Sequence, residues 1–588
     1  MSETFAPPDI AIDRRADRTT ILKSRVALTE WEPSITAVLR KRAAQHPDRP
    51  LAVHRDATLT YGEAVQRSDT LARAFRELGI GPDKPVMILS GNSLEHLLVS
   101  LAAYAAGAPV MPISVAYSLM SSDHARIRAI AELTEPGLVF ADDAVPFSGA
   151  LDALALDNVL VARGERKHAM RLETLWETSA HRDSPLDGGP DPGADTVAKL
   201  LFTSGSTGAP KGVINTHRML CSNQAMLQAI WPFLADEPPV LVDWLPWSHT
   251  FGGNHNLDLA LFNGGTIHID DGRPAPPLFG KTLAALNDVP PTLYFNVPAG
   301  YALLAPALEN DAALAERFFS RLRFMFYAAA ALPDALAERL RELARRHASG
   351  GEVPLTSSWG TTETSPAATS MHYLGAPTGC IGVPIPGCTI KLAPVADKFE
   401  IRVSGPNVTP GYFRRPDLTE ELFDEDGFYC SGDAVKLIDD QDPNQGMMFD
   451  GRIAENFKLQ TGTWVAVGAL RTRLLSTAGV LTDAVICGQD AEYVAALAWV
   501  NQSEAPGDED ALRDHLASAL ARLNSETGSA ARIERLLLLD APPSLDAGEI
   551  TDKGYLNQRR CIVCRAAEVA RLYAEVPGAE VITPAQTA

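Results

Sequence analysis

Short apolar runs of strand length recur between longer helical stretches over most of this chain. That alternation constrains the fold more than any other feature. A helix-like stretch at 34–46 precedes a hairpin-like pair at 51–60. A strong helix at 61–78, an apolar strand at 85–90, a helix at 93–106 and strands near Val110 and Leu138 follow. Such runs belong to α/β layering around a largely parallel sheet. A second run of the same texture begins near Ala198, with strands at 199–203, 240–245, 266–269, 292–297, 323–327 and 353–357. Its clearest helix is 333–348. Pro333 suits the first turn of that helix, and Arg345, Arg346 and His347 suit the negative end of its dipole. From about 380 to 435 the texture changes to short strands rich in Gly and Pro (IGVPIPG, SGPNVTPG, DEDGFYCSGD). After FDGR at 449–452 comes an α+β segment with helices at 465–477 and 508–523 and strands at 484–487, 494–500 and 535–539. The expected architecture is α/β. A large N-terminal domain, 1–450, holds two α/β layered subdomains and a β-rich subdomain, and a small mobile α+β lid domain spans 451–588.

A chain of 588 residues exceeds one ordinary core, as this division requires. The formal net charge of −21 disfavours nonspecific nucleic-acid binding. A polyanionic ligand would need local compensation from Lys, Arg, backbone N–H groups and a metal ion. The uncharged segment 97–122 is long enough to span a bilayer, but Gly107, Pro109 and Pro112 divide it, so it reads as a buried helix and a buried strand. The N-terminus MSETFAPPDI lacks the basic patch and apolar stretch of a signal peptide, and seven scattered cysteines do not suggest a disulfide framework. A cytoplasmic protein is the expectation. Cys561 and Cys564 form a lone CxxC without a second pair for zinc. The stretch SPLDGGPDPGAD at 184–195 reads as a mobile loop.

The segment TSGSTGAPKG at 203–212 carries the most chemistry. The strand-like AKLLF runs into Thr203, Ser204, Gly205, Ser206, Thr207 and Gly208. Glycines let the backbone approach a ligand, consecutive N–H groups form an anion nest, hydroxyls add donors and Lys211 adds a positive charge. This is not a Walker A loop, because Gly205 and Gly208 are three apart and Pro210 precedes the lysine. A helical stretch follows at 216–230.

With that loop the chain resembles the adenylate-forming superfamily of acyl- and aryl-CoA synthetases, luciferases and peptide-synthetase adenylation domains. Matching motifs run in the family's order from about residue 50 to 560. The resemblance implies use of ATP, Mg2+ and CoA on a small carboxylic acid. In Trp359-Gly360-Thr361-Thr362-Glu363 it implies that Trp359 covers adenine, that Thr362 contacts the α-phosphate or acyl carboxylate, and that Glu363 holds Mg2+. A hard cation bridging phosphates wants such an oxygen ligand. Asp433, in SGD, would accept from both ribose hydroxyls, and Arg452, in DGR, would support the same ribose. Ala328, Ala329 and Ala330 match the small-residue segment beside adenine. His249, in LPWSH, matches the histidine on the route to the acyl pocket, which in the family moves between two half-reactions.

Two positions depart from the family. Ala454 stands where the hinge usually has Asp or Lys. Glu549 follows Gly548 where most members have the catalytic lysine, and a lysine comes only at Lys553, in EITDKG. Glu cannot stabilise a pentavalent phosphate, so Lys553 is the candidate. The strings DWLPWSHTFGGNHN at 243–256 and EITDKGYLNQ at 549–558 resemble feruloyl-CoA synthases of aromatic catabolism, which implies a hydroxycinnamic acid as substrate. Trp247, Phe251, Tyr294 and Asn296 are the candidate pocket residues, an aromatic set with a few polar groups. A fatty acyl- or other aryl-CoA synthetase, and a catalytically silent nucleotide-binding protein, remain alternatives. No nucleic acid or membrane partner is expected, and oligomeric state is unread.

Overall fold

The computed structural model describes residues 4–180, 191–204, 210–502, 505–525, 532–552 and 554–585. It has a large α/β domain and a small α+β domain. One sheet of the large domain has seven strands, in the order 210–216, 197–204, 110–113, 86–89, 138–143, 159–163 and 170–171. Its strands are parallel except for the hairpin of Val197–Ser204 with Pro210–Thr216. Val86–Leu89 and Val110–Ile113 are buried at every position, as strands covered on both faces must be. Helix Leu94–Ala105 packs on this sheet, and helix Tyr61–Glu77 packs on that helix. Tyr61–Glu77 starts at a capping box between Thr60 and Glu63, and Leu94–Ala105 at Ser93, whose hydroxyl accepts from the His96 N–H.

Most helices and strands lie where the sequence places them, but the sheets do not follow the sequence-contiguous runs. Val197–Ser204 closes the first sheet rather than opening a second. The hairpin Pro50–His54 and Ala57–Thr60 joins Val240–Asp243 and Thr266–Ile269 in a four-stranded sheet. Leu293–Asn296, Phe324–Tyr327 and Leu355–Gly360 continue without a break into the β-rich strands, forming one eleven-stranded sheet. Its far edge is Ile10–Arg14 and Thr20–Ser24, which the sequence reading did not anticipate. Both carry charged residues that blur the period-two pattern. Pro333 is the N-cap of helix Asp334–His347 rather than part of its first turn.

In the small domain, strands Leu481–Cys487, Val494–Val500 and Ile533–Leu538 alternate faces. Ala484, Ile486, Ala496 and Leu536 pack with helices Val467–Ala478 and Glu509–Ser525. Val485, Cys487, Leu497 and Leu537 pack against Cys561 and Leu572 on the opposite face. All seven cysteines are free. Among the described residues no helix is long and apolar enough to cross a membrane.

Candidate functional site

The hairpin that carries TSGSTGAPKG places Thr203 opposite Lys211 and Ser204 opposite Pro210. Gly205, Ser206, Thr207 and Gly208 lie outside the described residues. The second arm, read from sequence as a simple exit to a helix, is a strand pinned along its outer side. Gly411 O accepts from the Ile214 N–H at 3.1 Å and Gly212 O from the Phe413 N–H at 2.8 Å. Between them, Tyr412 lies with its ring centroid 5.1 Å from the Lys211 ammonium. Its hydroxyl donates to Glu363 Oε1 at 3.0 Å, and burial and that carboxylate hold the phenol well above its ordinary range. The Thr409 N–H donates to Glu363 O at 2.8 Å and its hydroxyl to Ile214 O at 2.6 Å. Tyr412 therefore joins the lysine of the loop to the acidic residue of WGTTE. Sequence reasoning missed it, and the aromatic directly after Pro410-Gly411 was the available signal.

Strand Leu355–Gly360 delivers the second group and turns sharply at its end. A Cβ on Gly360 would sit 1.6 Å from Pro366 O, so only glycine fits there. Thr362 and Glu363 occupy the buried turn Thr362–Thr364, and the Thr361 hydroxyl donates to Tyr429 Oη at 3.2 Å. The Trp359 ring is buried, and its Nε1–H donates to Asp433 Oδ2 at 2.9 Å. Asp433 Oδ1 lies 3.1 Å from Arg452 Nε, its partner in strand register. Burial raises the Asp433 carboxyl pKa, against the pull of Arg452 and the indole hydrogen bond. Thus Trp359, read from the family as an adenine cover, also holds the ribose candidate by its edge. Ala328–Ala330 leave Phe324–Tyr327 beside this strand, with Ala329 at φ +75°. Thr203 and Ser204 end strand Val197–Ser204 and the turn Thr362–Thr364 follows the end of Leu355–Gly360, the side on which α/β sheets bind ligands.

His249 is held by a rigid backbone. The Asn92 amide donates to Leu245 O at 2.9 Å and accepts from the Trp247 N–H at 3.0 Å. The chain then enters a π-helical turn, Phe251–Leu257, of a kind that often marks functional sites. Cβ atoms on Gly252 and Gly253 would lie 2.4 Å from Leu245 O and Trp247 O. The His249 Nε2 atom is 2.8 Å from Asp552 Oδ2 of the small domain. Lys553, the next residue, lies outside the described residues. Glu549 does not face this site: its buried carboxylate accepts from Arg565 Nε and Nη2 at 2.6 and 2.8 Å and from the Ser544 N–H at 2.8 Å. Burial opposes its ionisation, but those hydrogen bonds leave its pKa lowered.

Beneath the site runs a buried polar relay. Lys199 Nζ donates to Gly253 O at 3.1 Å and Asn254 Oδ1 at 3.0 Å and pairs with Asp258 Oδ2 at 3.2 Å. The Asn254 amide donates to Asn215 Oδ1 at 2.6 Å and to Thr250 Oγ1 at 3.1 Å. Both arms of the hairpin are thereby fastened to the turn behind His249.

The model of the AMP-binding enzyme family matches residues 39–413, and that of the AMP-binding enzyme C-terminal domain matches 457–577. The chain belongs to the AMP-binding enzyme family. Sulfoacetate–CoA ligase of Cupriavidus necator is 28% identical over 540 residues, 86% of this chain and 97% of that one. A feruloyl-CoA synthase of an Amycolatopsis species is 29% identical over 410 residues, 68% of this chain and 75% of that one. An anthranilate CoA ligase solved with anthranoyl-AMP superposes with a TM-score of 0.73 at 18% identity, covering 93% of this chain and 99% of that one, a likeness of fold. Family membership supports adenylate-forming acyl- or aryl-CoA ligase activity.

Within this AMP-binding enzyme the four candidate pocket residues do not converge. Phe251 lies with His255, Phe295 and Phe326, at centroid distances of 5.7, 6.5 and 5.7 Å. Burial holds His255 neutral, its pKa pushed down to about 4. Tyr294 and Asn296 point to the other face of their strand. The Asn296 amide donates to Tyr294 Oη at 2.8 Å, and the Tyr294 ring packs on Tyr301 and Phe318 in a helix-covered core. Trp247 is buried edge-on against His96, 5.2 Å away. Strand pairing and side-chain direction, which residue type does not encode, account for the separation. Ala454 falls in the short turn Ile453–Glu455, and its carbonyl accepts from Arg559 of the small domain at 2.7 Å.

Proposed function

We propose that this chain is an AMP-forming acid–thiol ligase that adenylates ferulate or a related hydroxycinnamic acid and transfers the acyl group to CoA. The observation that carries the reading is the meeting of Asp552 with His249 at 2.8 Å, which brings the residue preceding Lys553 to the histidine on the acyl route. The substrate carboxylate attacks the α-phosphorus of ATP and pyrophosphate leaves, a step that rests on positioning and charge stabilisation. Lys211, Lys553, Thr362 and the amides of the 203–208 loop draw off the developing charge, while Asp433 accepts from the ribose hydroxyls and Arg452 supports it. Among the described residues no cluster of three or more His, Cys, Asp or Glu could hold a metal alone. A single carboxylate completed by phosphate oxygens and water is the usual Mg2+ arrangement, and Glu363 suits it. The bound ion would supply further positive charge to the phosphates.

The small domain, 451–588, then rotates about Asp450–Arg452, and the CoA thiol attacks the carbonyl and displaces AMP. Lys398 Nζ donates to Asp450 O at 2.7 Å, so the large-domain side of that joint is anchored. For the acid, Phe251, Phe295 and Phe326 with neutral His255 favour a planar ring over a second anionic group such as a sulfonate. The test is pyrophosphate release, with ATP and Mg2+, over ferulate, p-coumarate, caffeate, benzoate, a fatty acid and sulfoacetate, followed by CoA-dependent AMP release. Ferulate should be among the best. Turnover of sulfoacetate or the fatty acid with ferulate inert would reject the hydroxycinnamate reading, and ATP binding without pyrophosphate release for any of the acids would leave a silent nucleotide binder.

A further inference from the structure

The contact between the two domains at His249 is a built arrangement. Asp552 sits at its centre, with Oδ2 2.8 Å from His249 Nε2 and Oδ1 accepting from the Tyr117 hydroxyl at 3.1 Å. Arg126 donates to the Tyr117 oxygen at 3.3 Å and lies over that ring at 5.1 Å. Nearby, the Ser122 N–H and hydroxyl donate to Asp546 Oδ2 at 3.1 and 2.9 Å. The Asp552 and His249 side chains are only 8% and 16% exposed, so little water competes with their bond. The segment around Asp552 is itself braced: Ile550 bridges Leu556, and the Thr551 N–H donates to Tyr555 O at 2.8 Å. The His249 backbone is fixed on its side, leaving the imidazole as the part free to respond.

We propose that Asp552 is a positioning residue that couples the His249 side chain to the pose of the small domain. With the domain seated, the carboxylate fixes the imidazole through one oxygen and the Tyr117 phenol through the other. When the domain rotates away, the imidazole loses that acceptor and is released for the second half-reaction. Asp552 thereby times the histidine to the domain motion, and no covalent bond changes at either residue. This rests on the two-step reading above.

The experiment separates the half-reactions, with ferulate as acid and supplied feruloyl-AMP for the transfer step. D552A should lower pyrophosphate release by about 10- to 100-fold, the scale of one charge-assisted hydrogen bond. It should leave thioester formation from feruloyl-AMP within about threefold, well below that scale. Added to H249A, it should cost little more. Adenylation within about twofold of wild type, or equal loss in both half-reactions, would overturn the proposal, since a general structural defect would move both. If wild type is inert with ferulate, the functional reading fails by itself and an interdomain distance decides. Spin labels on the exposed Cys564 and on V145C, at another exposed site, should give a distance distribution that broadens in D552A without substrate. An unchanged distribution would overturn the coupling.

Discussion

Lys199→Met tests whether the polar relay under the site holds it together. The Lys199 and Asp258 side chains are 5% and 3% exposed, and the ammonium serves Asp258, Gly253 O and Asn254 Oδ1 at once. Burial already raises the Asp258 carboxyl against the pull of Lys199. Removing the lysine leaves a carboxylate in a closed interior and takes one donor from Gly253 O and one from Asn254 Oδ1. Breaking one partner of such a pair costs about 3–5 kcal/mol, whereas replacing both by apolar groups is often neutral. Urea unfolding followed by tryptophan fluorescence reads the large domain through Trp231, Trp244 and Trp247. At a slope of about 3 kcal/mol/M the midpoint should fall by about 1–1.7 M. K199M/D258L should recover at least half of that. With the lysine gone, the folded pKa of Asp258 stands still further above its unfolded value of 3.8. The stability this group contributes is then present below pH 3.8 and lost as pH rises through the folded pKa, so the K199M deficit should be largest at neutral pH and shrink on acidification. A single variant within about 0.3 M of wild type, or a double variant no better than the single, would refute a load carried by this ion pair.

Lys553→Ala should lower adenylation by about 10²-fold or more, the cost of one key charge stabiliser, while thioester formation from supplied feruloyl-AMP survives much better; equal loss of both would reject that role. Tyr412→Phe keeps the ring under Lys211 but removes the hydrogen bond to Glu363, and should lower pyrophosphate release about 3- to 10-fold with a raised Mg2+ requirement. Tyr412→Ala should do worse, and two variants equal to wild type would dismiss the residue. His255 has a folded pKa of about 4 against 6.5 unfolded, so its contribution is present above pH 6.5 and lost as pH falls towards 4. His255→Phe should therefore gain on wild type by about 3 kcal/mol across that window in thermal unfolding; a constant difference would contradict a buried neutral imidazole.

Single elements were legible because their signals are local. The capping box at Thr60 and Glu63 and the cap at Ser93 announce their helices before any partner is considered. Sheet membership was not legible, since a run such as 50–54 looks the same whether it pairs with 86–89 or, as it does, with 266–269. The site divides the same way. TSGSTGAPKG, WGTTE, SGD and DGR could be recognised as strings, because their chemistry lies in contiguous residues. Tyr412 offered only an aromatic after Pro410-Gly411, since its meaning depends on what the register of Pro210–Thr216 brings beneath Lys211. Tyr294 failed in the opposite direction. It has the residue type of a pocket wall, but it lies on the strand face turned away from Phe251.

Glu549 shows how a departure from a motif can be structural. A glutamate where the family has its lysine would bring negative charge towards a triphosphate if it occupied the lysine's place. Instead the carboxylate is 2% exposed and locked to Arg565, and its carbonyl accepts from the Asn557 N–H at 2.8 Å and the Cys561 thiol at 3.2 Å. One residue thus ties together the turn before it at Ser544, the returning segment at Asn557 and the helices behind at Cys561 and Arg565. Cys561, half of the unexplained CxxC, is part of that brace. The same anchorage fixes the base of the segment on which Asp552 reaches His249. Lys553 comes four positions after Glu549 in the sequence, so a glutamate buried as a brace leaves the later lysine uncommitted to that brace.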